Sequence, residues 1–261
     1  MEQAERPRLD MALYDAAILD MDGVITRSAG THMAAWKKMF DDYLRERAGR
    51  LGEQFAPFTD EEYYQYVDGK PRYDGTQSFL ESRGINLPFG GPDDPPGKET
   101  VCGLANRKND YFRDHLKKYG VESYPATRDF VEQLEAGGKR VAAISSSRNA
   151  KAVLEAAGVL GLFHVIVDGV DATGLHLKGK PAPDIFLEAA RRIGVSPGRA
   201  IVIEDAVAGV EAGKTGGFGL VIGINRSGKN EQLKNYADLV VSDLSEIGID
   251  SGEGNEDDPG K

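Results

Sequence analysis

The chain has 261 residues, of which 40% are hydrophobic, and a formal net charge of −10; this suits one large domain or two smaller ones with a sizeable core. The acidity argues against a nucleic-acid partner, since phosphate backbones attract clustered Lys and Arg. One cysteine, Cys102, excludes an intramolecular disulfide and a thiolate zinc cluster, and a polar N-terminus without a run of about 18 apolar residues points to a soluble, reducing, cytoplasmic setting.

The first element is an apolar strand, Ala16 to Leu19, that ends in Asp20-Met21-Asp22-Gly23. Two acids at the carboxyl end of a buried strand mark a ligand position in an open α/β sheet, although Asp and Gly also make ordinary turns. Asp20 and Asp22 would share one side of an ideal strand, so they need a cation, a proton or a break, and Gly23 permits the break. After Ser28 the period changes. Met33, Trp36, Phe40, Tyr43 and Leu44 recur at helical spacing against a charged face, and helical signals continue with interruptions to Tyr119. Segment 66–75 reads as a turn, Pro88 to Gly97 as a surface loop, and Asn106 to Tyr119 as a further helix.

From Tyr124 onward strands and helices alternate. Helix Ala126 to Glu135 leads to strand Arg140 to Ser145, and helix Ala150 to Ala157 ends at Gly158. Strands follow at His164 to Val167, Ala200 to Ile203, Leu220 to Ile224 and Leu239 to Val241, with helices at Asp184 to Ile193 and Val207 to Ala212. The expectation is an α/β fold: a Rossmann-like parallel sheet core with an inserted helical cap domain. Residues 1–28 and 120–249 form the core, 29–119 the cap, and 250–261, with five acids against one lysine, a solvated and disordered tail.

Three further polar signals lie at or beside strand ends. Ser145 to Asn149 could hold a phosphate at a helix N-terminus or merely cap it. Lys180-Pro181-Ala182-Pro183-Asp184 holds a lysine at the mouth of a helix, or displays it to solvent. Glu204-Asp205 closes a second buried strand, where adjacent acids are costly unless paired with a metal or hydrogen-bond donors, though a polar turn could use both. Together Asp20, Asp22, Glu204 and Asp205 form an oxygen-rich set suited to Mg²⁺, while Ser145 and Lys180 supply donors and positive charge. Such a set serves phosphoryl transfer, in which repulsion between a carboxylate nucleophile and an anionic phosphate must be neutralised. Gly209 to Thr215 has three residues between its glycines where a nucleotide-binding loop has four. No G-x-G-x-x-G opens the first helix, and His32, His115, His164 and His176 show no metal-ligand spacing.

In this order the motifs resemble the haloacid dehalogenase superfamily, largely Mg²⁺-dependent phosphotransferases. The resemblance rests on Asp20-Met-Asp22-Gly23-Val-Ile-Thr26, Ser145, Lys180 to Asp184, and Glu204-Asp205 followed by Ala208-Gly209. Within it the chain is most similar to the β-phosphoglucomutases, through His32, Trp36, Arg107 to Asp110 and Ser145 to Asn149. The resemblance implies Asp20 as the nucleophile that forms an aspartyl phosphate and Asp22 as the general acid/base. It implies Mg²⁺ on Asp20, the Asp22 carbonyl and Asp205, with Glu204 in or near its shell. Ser145, Lys180 and Gly23 would grip the transferring phosphoryl group. His32, Gly69, Arg72, Lys108, Ser147 and Asn149 would contact the substrate, Arg72 through its planar fork on the non-reacting phosphate.

Departures from that pattern are Arg27 in place of an acid, Ser28 in place of a threonine, Asp68 in place of a lysine that Lys70 could replace, and Gly75 in place of a serine. The implied reaction interconverts β-D-glucose 1-phosphate and glucose 6-phosphate, with glucose 1,6-bisphosphate as intermediate or activator. A phosphatase acting on sugar phosphates or related metabolites is the alternative, followed by a non-catalytic metabolite-binding module.

Overall fold

The computed structural model describes residues 6–68, 70–226, 228 and 230–250. They divide into two compact units, one built from residues up to Arg27 together with those from Glu122 onward and the other from Ser28–Val121.

The first unit carries strands β1 (Arg8–Asp10), β2 (Ala16–Asp20), β3 (Arg140–Ile144), β4 (Val165–Val167), β5 (Ala200–Glu204), β6 (Leu220–Ile224), β7 (Leu239–Val241) and β8 (Gly248–Asp250). Six form a sheet in the order β4-β3-β2-β5-β6-β7, with every pair parallel. β2 and β5 sit at its centre and are buried throughout. That is why they read as unbroken apolar runs rather than alternating ones. Leu19 is opposite Ile203, so Asp20 and Glu204 leave neighbouring strands at one edge.

Helices fill the connections. The helix Asp184–Ile193 buries Ile185, Phe186, Ala189, Ala190 and Ile193 as one stripe and stops at Gly194, whose φ of 68° is left-handed. The stripe joins Ile18, Ile144, Val202 and Val221 in the core. Residue Asp250, expected in a disordered tail, is instead in β8 and pairs with β1 in a separate parallel ribbon. Arg8 Nε donates to Asp250 Oδ1 at 2.7 Å across it. The rest of the expected tail, 251–261, lies outside the described residues.

The second unit is helical among its described residues: Ala29–Leu51, Asp60–Glu62, a π-helical turn at Tyr63–Val67, Arg72–Ser82 and Val101–Tyr119. Its core is aromatic. Phe40 and Phe79 ring centres lie 4.1 Å apart, and Phe58 meets Phe79 edge-on at 4.8 Å. Segment 66–75, expected as a turn, is helical at both ends. Gly75 is buried inside its helix with Val67 packed on it, where an added Cβ would sit 3.4 Å from Val67 Cγ1. The last helix begins at Val101, not Asn106, because Thr100 caps it by accepting from the Gly103 N–H at 3.0 Å. Pro88 to Gly97 is non-helical and mostly exposed, as expected.

Candidate active site

The loop after β2 is built by backbone hydrogen bonds. The N–H groups of Ile25 and Thr26 donate to the Met21 carbonyl at 3.0 and 2.9 Å, and Gly23 N–H donates to the Thr26 carbonyl at 3.0 Å. Gly23 adopts φ 81°, a left-handed conformation that favours glycine. Thr127 Oγ1 donates to the Val24 carbonyl at 2.7 Å and fixes the loop from a neighbouring helix. The result holds Asp20 buried and Asp22 half-buried at the sheet edge.

Lys180 reaches the same edge. Its Nζ donates to Asp20 Oδ1 at 2.5 Å and also to Glu204 Oε1. Glu204 Oε2 accepts from the Ala206 N–H at 2.5 Å, and the glutamate lies against Gly209, where any Cβ would collide with its carboxylate. This explains the glycine in the segment that resembles a nucleotide loop: Gly209 leaves room for Glu204. Ser145 is buried at the end of β3, its Oγ accepting from Ser147 N–H at 3.0 Å and lying 3.5 Å from Asp22 Oδ2. Ser147 Oγ accepts from Asn149 N–H at 3.2 Å.

Burial pushes Asp20 up to about 8; Lys180 opposes this, while Glu204 and Asp22 reinforce it. Asp205 is driven well above the ordinary carboxylate range by burial and by the charges of Glu204 and Asp20. Burial pulls Lys180 down, but Asp20 and Glu204 outweigh it, so the ammonium is held more firmly than in water. The site thus concentrates negative charge around one lysine.

This donor chemistry fits a hard divalent cation. Asp205 is seated against the loop backbone so closely that a Cβ on Gly23 would lie 1.8 Å from its Oδ2. That contact places a carboxylate beside the loop that carries Asp20 and the Asp22 carbonyl. Among the described residues no group of three or more His, Cys, Asp or Glu side chains is placed to hold a metal ion. A cation that keeps several waters needs only one or two carboxylates. We expect Gly23→Ala to cost roughly 1–2 kcal/mol from backbone strain alone and, by displacing Asp205, to lower turnover about 100-fold. Urea unfolding and steady-state kinetics would check this, and turnover within about twofold of the parent would refute it.

Other expected site residues lie in the helical unit. His32 Nδ1 is 2.9 Å from Lys108 Nζ, and its ring stacks on Phe112 at 4.3 Å. Burial, then the Lys108 charge, drives His32 well below its ordinary value, so it is a neutral acceptor for the ammonium. Arg72 donates through one terminal nitrogen to Asn106 Oδ1 and Tyr73 Oη, each at 3.1 Å. Gly69 lies outside the described residues.

Sequence reasoning missed Arg226. Its Nε donates to the Gly23 carbonyl at 3.0 Å, Nη1 to the Ser242 carbonyl at 3.0 Å, and its guanidinium stacks 3.8 Å from the centre of the Tyr124 ring. The arginine therefore grips the loop that carries both aspartates. Its signal was position alone: it stands two residues beyond Ile224, just past the end of a parallel strand.

Among the described residues no helix is long and apolar enough to cross a membrane. The family described as haloacid dehalogenase-like hydrolase matches residues 14–217. The chain is 48% identical over 237 residues to a β-phosphoglucomutase from Mycobacterium bovis, covering 89% of this chain and 90% of that protein. It is 32% identical to a β-phosphoglucomutase from Bacillus subtilis, covering 90% and 92%. A crystal structure of β-phosphoglucomutase from Clostridium difficile superposes with a TM-score of 0.69 at 27% identity, covering 88% of this chain and 92% of that one. The family match spans most of the chain and contains both acidic strand ends and Lys180: the chain belongs to the haloacid dehalogenase-like hydrolase family.

Proposed function

We propose that the protein is a Mg²⁺-dependent β-phosphoglucomutase that interconverts β-D-glucose 1-phosphate and glucose 6-phosphate. The observation that carries this reading is the 48% identity to a β-phosphoglucomutase across 89% of the chain. The buried Asp20–Lys180–Glu204 cluster supports the chemistry. Asp20 attacks phosphorus, so an Asp20–phosphorus bond forms as the bond to the departing oxygen breaks. Asp22 protonates that oxygen and, in the reverse sense, takes the proton from the sugar hydroxyl that receives the phosphoryl group. Glucose 1,6-bisphosphate is the species bound between the two transfers.

Lys180 and Ser145 steady the phosphoryl oxygens, with the Gly23 backbone beside them. Mg²⁺ would be held by Asp20, the Asp22 carbonyl and Asp205, with Glu204 nearby, and would supply charge neutralisation for the anionic approach. In the helical unit Arg72 grips the non-reacting phosphate, while Gly69, His32 and Lys108 contact the sugar; in the sheet unit Ser147 and Asn149 supply further polar contacts. A charged hexose phosphate does not cross a bilayer unaided, so this reading places the enzyme in the cytoplasm with its substrate.

Phosphorus NMR on β-glucose 1-phosphate with Mg²⁺ and a trace of glucose 1,6-bisphosphate tests the reading. Glucose 6-phosphate should accumulate without matching inorganic phosphate. Inorganic phosphate as the main product would replace the mutase with a phosphatase using the same Asp20.

A further inference from the structure

The Pro/Gly-rich segment Pro88 to Gly97 is exposed, yet it is stitched to the start of the Val101–Tyr119 helix. Val101 and Cys102 N–H groups donate to the Pro88 and Phe89 carbonyls at 3.0 and 2.9 Å. Asp94 organises the segment from within, accepting from Gly91 N–H at 3.2 Å, Thr100 Oγ1 at 2.7 Å and Lys98 Nζ at 2.6 Å. Gly90 and Gly103 leave room for this closeness, since a Cβ on either would collide with Asp94 or with the Lys98 carbonyl. Such a network is more than a surface loop needs to close a chain.

Its product is the orientation of Asn106. The Asn106 Nδ2 donates to the Pro92 and Asp94 carbonyls at 3.0 and 2.9 Å, and its Oδ1 accepts from Arg72 at 3.1 Å. Two carbonyls on one side demand the NH₂ group and a guanidinium on the other demands the oxygen, so the amide has one consistent orientation. Arg72 also stacks on the Tyr73 ring, with its guanidinium carbon 5.0 Å from the ring centre. Its buried Nε has no hydrogen-bond partner among the described residues. The guanidinium is thus fixed through one terminal nitrogen and by the ring it stacks on.

We propose that the insert sets the grip on the substrate's non-reacting phosphate, with Asn106 as a positioning residue that transmits its shape to Arg72. This rests on the reading of Arg72 given above. Preorganising a guanidinium removes part of the ordering cost of binding, so the insert tunes affinity for phosphorylated sugars rather than the chemistry at Asp20.

The test is a cycle of Arg72→Ala, Asn106→Ala and the double variant, with KM and kcat measured on β-glucose 1-phosphate. Each single variant should raise KM, Asn106→Ala by about tenfold, with kcat changed much less. In the Arg72→Ala background, Asn106→Ala should add nothing. An undiminished second loss would show a general structural role and overturn the proposal. A normal KM for Asn106→Ala beside a raised one for Arg72→Ala would overturn it while sparing the reading of Arg72. A normal KM for Arg72→Ala would overturn both. Asp94→Ala, which loosens the insert without altering either side chain of the pair, should raise KM severalfold; a parent-like KM would remove the insert from the argument.

Discussion

Asp20→Asn is expected to abolish turnover, by at least about 10⁴-fold, whether the product is an isomerised sugar or inorganic phosphate, because an amide cannot form the acyl phosphate that the assigned nucleophile makes. The same substitution should leave the thermal midpoint in chelator unchanged or raised. Asp20 is buried beside Glu204 and Asp22, and burial lifts it to about 8 even with Lys180 against it. A carboxyl raised in the folded state holds its full stability below its unfolded value. That contribution is lost as pH rises through the folded one. Asparagine never ionises and still offers Lys180 an acceptor, so its advantage should grow from about pH 4 to about pH 8 and then level off. Scanning calorimetry across that range, paired with phosphorus NMR, tests both halves. An active Asp20→Asn enzyme would refute the assigned nucleophile, and a lower midpoint above pH 8 would refute the electrostatic account.

The central strands were legible because burial on both faces leaves no room for polar alternation. Ala16 to Leu19 and Ala200 to Ile203 must be apolar if they lie in the middle of a parallel sheet. The acids were legible for the complementary reason: polar groups that terminate such a run are confined to the sheet edge. β1 and β8 were not legible, since three residues, half-buried or exposed apart from Leu9, carry no period. The start of the Val101–Tyr119 helix was placed too late: it depends on the Thr100 cap and on Gly103, whose missing Cβ admits the Lys98 carbonyl, a contact that no spacing in sequence announces.

Residues that act through others were the hardest to read. Arg226 and Asn106 belong to no motif, and each matters through a backbone or side chain far away in sequence: Gly23 for the first, Arg72 for the second. Spacing rules find groups whose neighbours in sequence are their neighbours in space. Partners brought together by the fold leave only composition behind, and a lone Arg or Asn has no distinguishing composition. Gly209 shows the converse. Its spacing ruled out a nucleotide-binding loop without saying what the glycine is for, and its missing Cβ makes room for Glu204.

Lys180→Met should produce the largest loss of stability among single changes at the site. The lysine side chain is 14% exposed and bridges Asp20, 9% exposed, and Glu204, 1% exposed. Removing one partner of a buried ion pair strands the charge of the other, at a cost of about 3–5 kcal/mol; here two carboxylates lose one cation. Asp20 and Glu204 raise Lys180 against the opposing effect of burial, so it stays protonated up to and beyond its ordinary range and its own titration lies above the window of interest. The pH dependence of the loss must then come from the carboxylates. Near about pH 5 Asp20 carries a proton in both proteins and the deficit should be smallest; loss of Lys180 lifts Asp20 further in the variant, so the deficit should grow as pH rises past about 8, where the parent's Asp20 ionises beside its lysine. Urea unfolding of the parent and variant in chelator at several pH values reads this directly. A deficit independent of pH, or a variant as stable as its parent above pH 8, would mean that Lys180 does not hold the acidic cluster together.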